Sequence, residues 1–95
     1  MTENTYLLGI DFGTESVRAA IFDLAGHPVS FAATTYRTTH PHPGWAEQDP
    51  EEWWEALQAS CRKVIAASGV SPAAIKGISY DATTMTVVAM DKRGE

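Results

Sequence analysis

The chain has one cysteine, Cys61, in 95 residues. That excludes an internal disulfide and suits a reducing, cytoplasmic setting. Basic residues are few. Seven Lys and Arg against twelve Asp and Glu leave a formal net charge of −5. A nucleic-acid-binding face or a polybasic membrane surface needs the opposite balance, so neither partner is expected. No apolar run is long enough to cross a bilayer. Met1-Thr2-Glu3-Asn4 is polar and lacks a basic stretch, so no signal peptide is expected. Internal repeats and low-complexity segments are absent. So is any Gly-x-x-x-x-Gly-Lys-Ser/Thr run, which excludes a Walker A loop. His27, His40 and His42 have no Cys or carboxylate cluster around them to complete a metal site, and they read as loop residues.

The most informative segment is Gly9-Ile10-Asp11-Phe12-Gly13-Thr14-Glu15-Ser16-Val17-Arg18. An apolar strand, Tyr6 to Ile10, delivers a carboxylate and a glycine into a turn rich in hydroxyls. A second strand, Val17 to Leu24, leaves it. Such a turn can cradle phosphates. Gly13 lets backbone N–H groups approach without a Cβ in the way, and Thr14 and Ser16 add hydroxyl donors. Asp11 is placed to hold Mg²⁺ through waters, because Mg²⁺ takes few protein carboxylates. The alternative is an ordinary hairpin with an Asp and a Gly in its turn.

Further along, Gly26 marks a turn and Val29 to Tyr36 reads as a third strand, with Val29, Phe31 and Ala33 alternating against polar or small neighbours. Arg37 to Gln48 is a loop broken by Pro41, Pro43 and Gly44. Asp49-Pro50-Glu51-Glu52 is a helix start, with Asp49 as N-cap and Glu52 as the acid of a capping box. Trp53, Leu57, Cys61, Val64 and Ile65 share a face at helical spacing, and Gly69 ends the helix. Trp45 and Trp54 suit packing of the loop against the helix. Ser71 to Ala74 is one capped turn. Ile75 to Tyr80 and Thr86 to Met90 read as fourth and fifth strands. The order β-β-β-α-β-β describes the start of an α/β, ribonuclease H-like domain. A mixed sheet needs cover on both faces, and one helix does not supply it. The chain therefore reads as the front part of a larger protein. Apolar strand surface from Leu7, Ile21, Ile78 or Val88 is expected in water, which favours self-association into a homo-oligomer.

The phosphate hairpin resembles that of the sugar kinase, hsp70 and actin superfamily. Two further segments narrow the resemblance. They are Pro43-Gly44-Trp45-Ala46-Glu47-Gln48-Asp49-Pro50-Glu51-Glu52-Trp53-Trp54 and Gly77-Ile78-Ser79-Tyr80-Asp81-Ala82-Thr83-Thr84. Their order and spacing resemble the N-terminal end of FGGY carbohydrate kinases, which move the γ-phosphate of ATP to a sugar or polyol hydroxyl. The resemblance covers nearly the whole chain, as part of an N-terminal domain whose C-terminal partner domain is missing. It implies ATP phosphate contacts at Gly13, Thr14, Glu15, Ser16 and Arg18, and a metal-linked role for Asp11. Glu15 departs from members with Thr there, and a carboxylate repels phosphate unless it points away. Arg18 reads either as a phosphate contact or as a solvated strand residue. No catalytic base falls within these residues; the family places it downstream.

The third segment bears on the substrate. Glycerol kinases carry Arg-Glu at the positions of Ala82 and Thr83, and xylulose kinases carry Gln-Met-His-Gly at Asp81 to Thr84. Neither is present. Asp81-Ala82-Thr83 resembles ribulose kinases, which implies a ketopentose. A carboxylate at a strand end can accept two sugar hydroxyl bonds, Ala82 leaves room, and Thr83 or Thr84 bonds a further hydroxyl. Such groups discriminate because an unmatched substrate leaves them unpaired. The alternative is that Asp81 and the threonines only cap a strand-to-loop turn. Beyond a kinase for another ketose or polyol, a non-catalytic actin- or hsp70-like nucleotide-binding module stays open.

Overall fold

Tyr6–Phe12 (β1) and Ser16–Asp23 (β2) fold back on each other as an antiparallel hairpin, with Leu8 opposite Ile21 and Phe12 opposite Val17. The computed structural model describes residues 5–83 and 86–94. In it, Pro28–Thr35 (β3) pairs antiparallel with β2, and Ile75–Ala82 (β4) runs parallel to β1. The sheet order is β3-β2-β1-β4. A helix, Pro50–Ser68 (α1), and a short 3₁₀ turn, Pro72–Ala74, carry the chain from β3 to β4. This is the α/β arrangement expected from the sequence. Among the described residues no helix is long and apolar enough to cross a membrane.

The helix begins and ends where its caps dictate. The Asp49 carboxylate accepts the Glu51 N–H at 2.9 Å, and Pro50 fills the first position, where no N–H is needed. Gly69 closes the helix at φ +71°, a left-handed conformation that costs other residues strain. The capping box is not completed. The Glu52 carboxylate turns instead to Arg37, whose guanidinium donates to it at 2.9 Å and whose backbone N–H lies at 3.3 Å. A full positive charge outcompetes a neutral N–H for a carboxylate.

Helix α1 packs over β2 and β3. Leu8, Ala19, Ile21 and Val64 form one buried cluster, and Val17, Tyr36 and Ala56 form the other. Ile21, Val17 and Val64 are fully buried, each stabilising the fold by about 1.5–3 kcal/mol relative to exposure. The helix presents Ala56, Ser60 and Val64 to the sheet at its centre, with Trp53, Leu57, Cys61 and Ile65 half-buried beside them. The small central residues let the helix lie close. Ser60 is fully buried, and its hydroxyl donates to the Val17 carbonyl at 2.8 Å and contacts Thr34 Oγ1 at 2.9 Å.

Three expectations are corrected. β3 alternates, but Ser30, Ala32 and Thr34 are its inward residues, whereas Phe31 is 64% exposed. The close helix leaves no room for bulk there, and the Ser30 hydroxyl donates to the Val64 carbonyl at 2.8 Å. Thr86 to Met90 is not a strand; Val87 is 90% exposed, and a strand forms only where its side chains find a surface to pack on. Ile21 is not in water but beneath α1. Leu7 and Ile78 are exposed on their strands as expected, and Val88 is exposed but not on a strand. Tyr80 on β4 is exposed too, whereas α1 packs mainly over β2 and β3.

Candidate active site

β1 and β4 end side by side, and ligands in open α/β sheets collect beyond such strand ends. Asp11 and Asp81 are register partners there, and Arg18 partners Asp11 across the hairpin. Residues directly opposite one another present their side chains to the same face. Arg18, Asp11 and Asp81 therefore form a row across three strands, on the face opposite α1. The row borders a cleft of about 460 Å³ that Gly9, Ala20, Ser79 and Phe31 also line. The small residues leave the space open.

The row is electrostatically coupled. Arg18 forms a salt bridge to the Asp11 carboxylate. A hydrogen bond between the Asp81 and Asp11 side chains, with the Arg18 charge, holds Asp11 below the usual carboxylate range despite some desolvation. The same hydrogen bond, desolvation and the Asp11 charge push Asp81 up. The pair titrates as a unit, with the negative charge favoured on Asp11 and the proton on Asp81.

The turn between β1 and β2 is held from outside the hairpin. The Phe12 carbonyl accepts both the N–H and the hydroxyl of Thr83, at 3.0 and 2.9 Å. The Gly13 carbonyl accepts the Tyr36 hydroxyl. The Thr14 carbonyl accepts Gln48 Nε2 at 2.8 Å, and the Glu15 carbonyl accepts the Tyr36 N–H at 3.0 Å. Four consecutive carbonyls are thus engaged by three residues remote in sequence. Gly13 N–H closes the turn on the Ser16 carbonyl at 2.8 Å. Among the described residues, the N–H groups of Thr14 and Glu15 have no intramolecular partner. A Cβ on Gly13 would stand 3.1 Å from the Arg18 guanidinium and 3.3 Å from the Ser16 carbonyl, so the glycine also makes room for Arg18.

The structure brings Asp11, Gly13, Arg18 and Asp81 together, with Thr14 and Glu15 exposed on the turn and Ser16 half-exposed at the start of β2. Ala82 pairs with Phe12, and Thr83 spends its hydroxyl proton on the turn. Thr84 lies outside the described residues. His27 sits 3.1 Å from Asp23, His40 contacts the Trp45 carbonyl at 2.8 Å, and His42 meets Trp45 edge-on. Tyr36, Gln48 and Trp53, whose indole donates to Gln48 Oε1 at 3.0 Å, are the supporting residues that sequence reasoning missed. A tyrosine closing a strand and a glutamine just before a helix cap were the available signals.

The sequence and the fold have counterparts among known proteins. Residues 6–95 match the model of the N-terminal domain of the FGGY family of carbohydrate kinases. The chain belongs to this family. Glycerol kinase 1 of Lactiplantibacillus plantarum is 38% identical over 88 residues, covering 93% of this chain and 17% of that protein. Xylulose kinase of Staphylococcus epidermidis is 33% identical over 88 residues, covering 93% and 18%. The crystal structure of a xylulose kinase from Brucella ovis superposes with a TM-score of 0.89 at 33% identity, covering 95% of this chain and 19% of that one. The chain thus spans less than a fifth of the length of these FGGY relatives.

Proposed function

We propose that this chain is the nucleotide- and sugar-reading part of the N-terminal domain of an ATP-dependent kinase whose acceptor is a ketopentose such as ribulose. The carrying observation is the register pairing of Asp11 with Asp81, which joins the phosphate turn to the segment that reads the sugar. In this reading residues 1–95 are a partial domain. The second domain and the carboxylate base that deprotonates the sugar come from the rest of a cytoplasmic protein.

The residues fit Mg²⁺ and ATP. An anionic carboxylate, exposed hydroxyls and unpartnered N–H groups are the donors that a hard cation and phosphate oxygens take. Asp11 would hold the metal, and Gly13, Thr14, Ser16 and Arg18 the phosphates. Glu15 would take part through its N–H, and its carboxylate has to turn away from the phosphates. When bound, Mg²⁺–ATP supplies the phosphoryl group and offsets charge as it moves. Arg18, already tied to Asp11, adds a fixed positive charge at the same place. Asp81 binds sugar hydroxyls, and Ala82 leaves the sugar space. Thr83 offers only its lone pairs, because its proton is engaged. A sugar oriented this way needs no further search to meet the phosphate, which is where such sites gain rate.

The absence of Arg-Glu at Ala82-Thr83 and of Gln-Met-His-Gly at Asp81–Thr84 supports ribulose. Similarity to proteins named glycerol kinase and xylulose kinase favours a second reading with those acceptors. Sugar-dependent ADP release by the full-length protein tests both. The expected result is turnover with ribulose above xylulose and glycerol. Turnover with xylulose or glycerol alone selects the second reading. No ADP release with any ketose, aldose or polyol rejects the kinase.

A further inference from the structure

The loop that follows β3 does more than join it to α1. Its first and near-last residues both reach the phosphate turn. Tyr36 donates its hydroxyl to the Gly13 carbonyl and its N–H to the Glu15 carbonyl. Gln48 donates Nε2 to the Thr14 carbonyl and to Thr38 Oγ1, both at 2.8 Å, while its Oε1 accepts the Trp53 indole at 3.0 Å. A peptide carbonyl and the N–H of the next residue lie in one plane and point in opposite directions. Fixing the Gly13 and Thr14 carbonyls therefore fixes the N–H groups of Thr14 and Glu15, the two with no partner among the described residues. Each anchor is itself held. Tyr36 is buried in the core beside Val17 and Ala56, and burial and the Asp11 charge keep its hydroxyl protonated and able to donate. Gln48 is tied to the first turn of α1 through Trp53.

We infer that Tyr36 and Gln48 are positioning residues for the nucleotide phosphates. They act through the backbone of the turn, aiming its N–H groups, and touch neither nucleotide nor sugar. This rests on the proposed nucleotide site and adds to it a specific dependence. Their loss should weaken binding in proportion to the phosphates a ligand carries, leaving the base and sugar terms intact. Donors aimed in advance need no reorganisation when the anion arrives.

The test uses the full-length protein and two substitutions that keep shape. Tyr36→Phe removes only the hydroxyl. Gln48→Glu removes the donor toward Thr14 and keeps the acceptor for Trp53. Dissociation constants for Mg²⁺–ATP and adenosine are measured by calorimetry, and KM is measured for ATP and for the sugar. The expected result is about a five- to tenfold weaker Mg²⁺–ATP affinity for each variant, the loss of one hydrogen bond. Adenosine affinity and the sugar KM stay within twofold. Unchanged Mg²⁺–ATP affinity in both variants overturns the inference, as does equal weakening of ATP and adenosine, which marks a merely structural role. Wild-type protein that binds no Mg²⁺–ATP overturns instead the nucleotide site on which the inference rests.

Discussion

Asp81 stands beside Asp11 as its register partner, and this pairing raises the affinity of Asp81 for a proton as it lowers that of Asp11. In the proposed role this side chain reads the sugar, so Asp81→Ala in the full-length protein should raise the sugar KM by about 10- to 100-fold. That range corresponds to about one hydrogen bond to a charged group. The KM for ATP should stay within a few-fold. Steady-state kinetics with ribulose and xylulose check this, and unchanged use of both returns Asp81 to capping the end of β4. At the same scale the sequence was informative about residue types and poor about pairing. Asp11 and Gly13 stood out because a carboxylate and a glycine end an apolar strand. That Asp11 would face Asp81 depends on which strands are neighbours and in what register, and single-sequence pattern contains neither. Tyr36 and Gln48 were missed for a related reason. Their role is a bond to a backbone carbonyl, which no side-chain motif advertises.

The secondary-structure elements were legible where local rules dominate. The hairpin, the capped start of α1 at Asp49 and its end at Gly69 follow from strand pattern and cap chemistry. The inward face of β3 was not legible. Its period is clear, but which face turns inward is decided by how closely α1 lies, and Ala56 and Ser60 decide that. Ser60 supplies the test. Ser60→Ala should cost about 1–3 kcal/mol in denaturant unfolding, because the buried Val17 carbonyl and Thr34 hydroxyl lose a partner. Ser60→Leu should cost more, since the helix cannot close on a larger side chain. A neutral Ser60→Ala would show that the hydroxyl is not needed where α1 crosses β2. The link from Arg37 to α1 predicts a pH dependence. The Glu52 carboxyl is held below its ordinary 4.5, mainly by the Arg37 side-chain hydrogen bond. A lowered carboxyl stabilises the fold above its unfolded value, and that stability is lost as pH falls through the lowered one. Arg37→Ala should lower the melting temperature slightly at neutral pH, by little because the pair is partly exposed, and bring variant and wild type together in acid, so that the variant's acid limb is flatter. Parallel acid limbs in wild type and variant would remove the pair from the account.

Among the described residues the chain leaves apolar surface on both faces of its sheet. Leu7 and Phe31 lie exposed opposite α1, and Ile78 and Tyr80 lie exposed on β4. β3 and β4 are open edges. Surfaces of this kind find partners. The 95-residue chain by itself should therefore self-associate, without a disulfide because half-buried Cys61 lies along α1's sheet-facing side, and should show no kinase activity. Light scattering under reducing conditions checks this; a stable monomer with a cooperative melt would show that the chain covers its own core. The account as a whole turns on Asp11, which stands at once near the end of β1 beside the β1–β2 turn, in the salt bridge with Arg18 and in register with Asp81. The most direct test is the turnover of the full-length Asp11→Asn variant at saturating Mg²⁺–ATP and sugar. The predicted result is a loss of roughly 10²-fold or more in kcat with an unchanged melting temperature, as for removal of a positioned electrostatic group. Full Mg²⁺–ATP turnover in that variant would contradict the account.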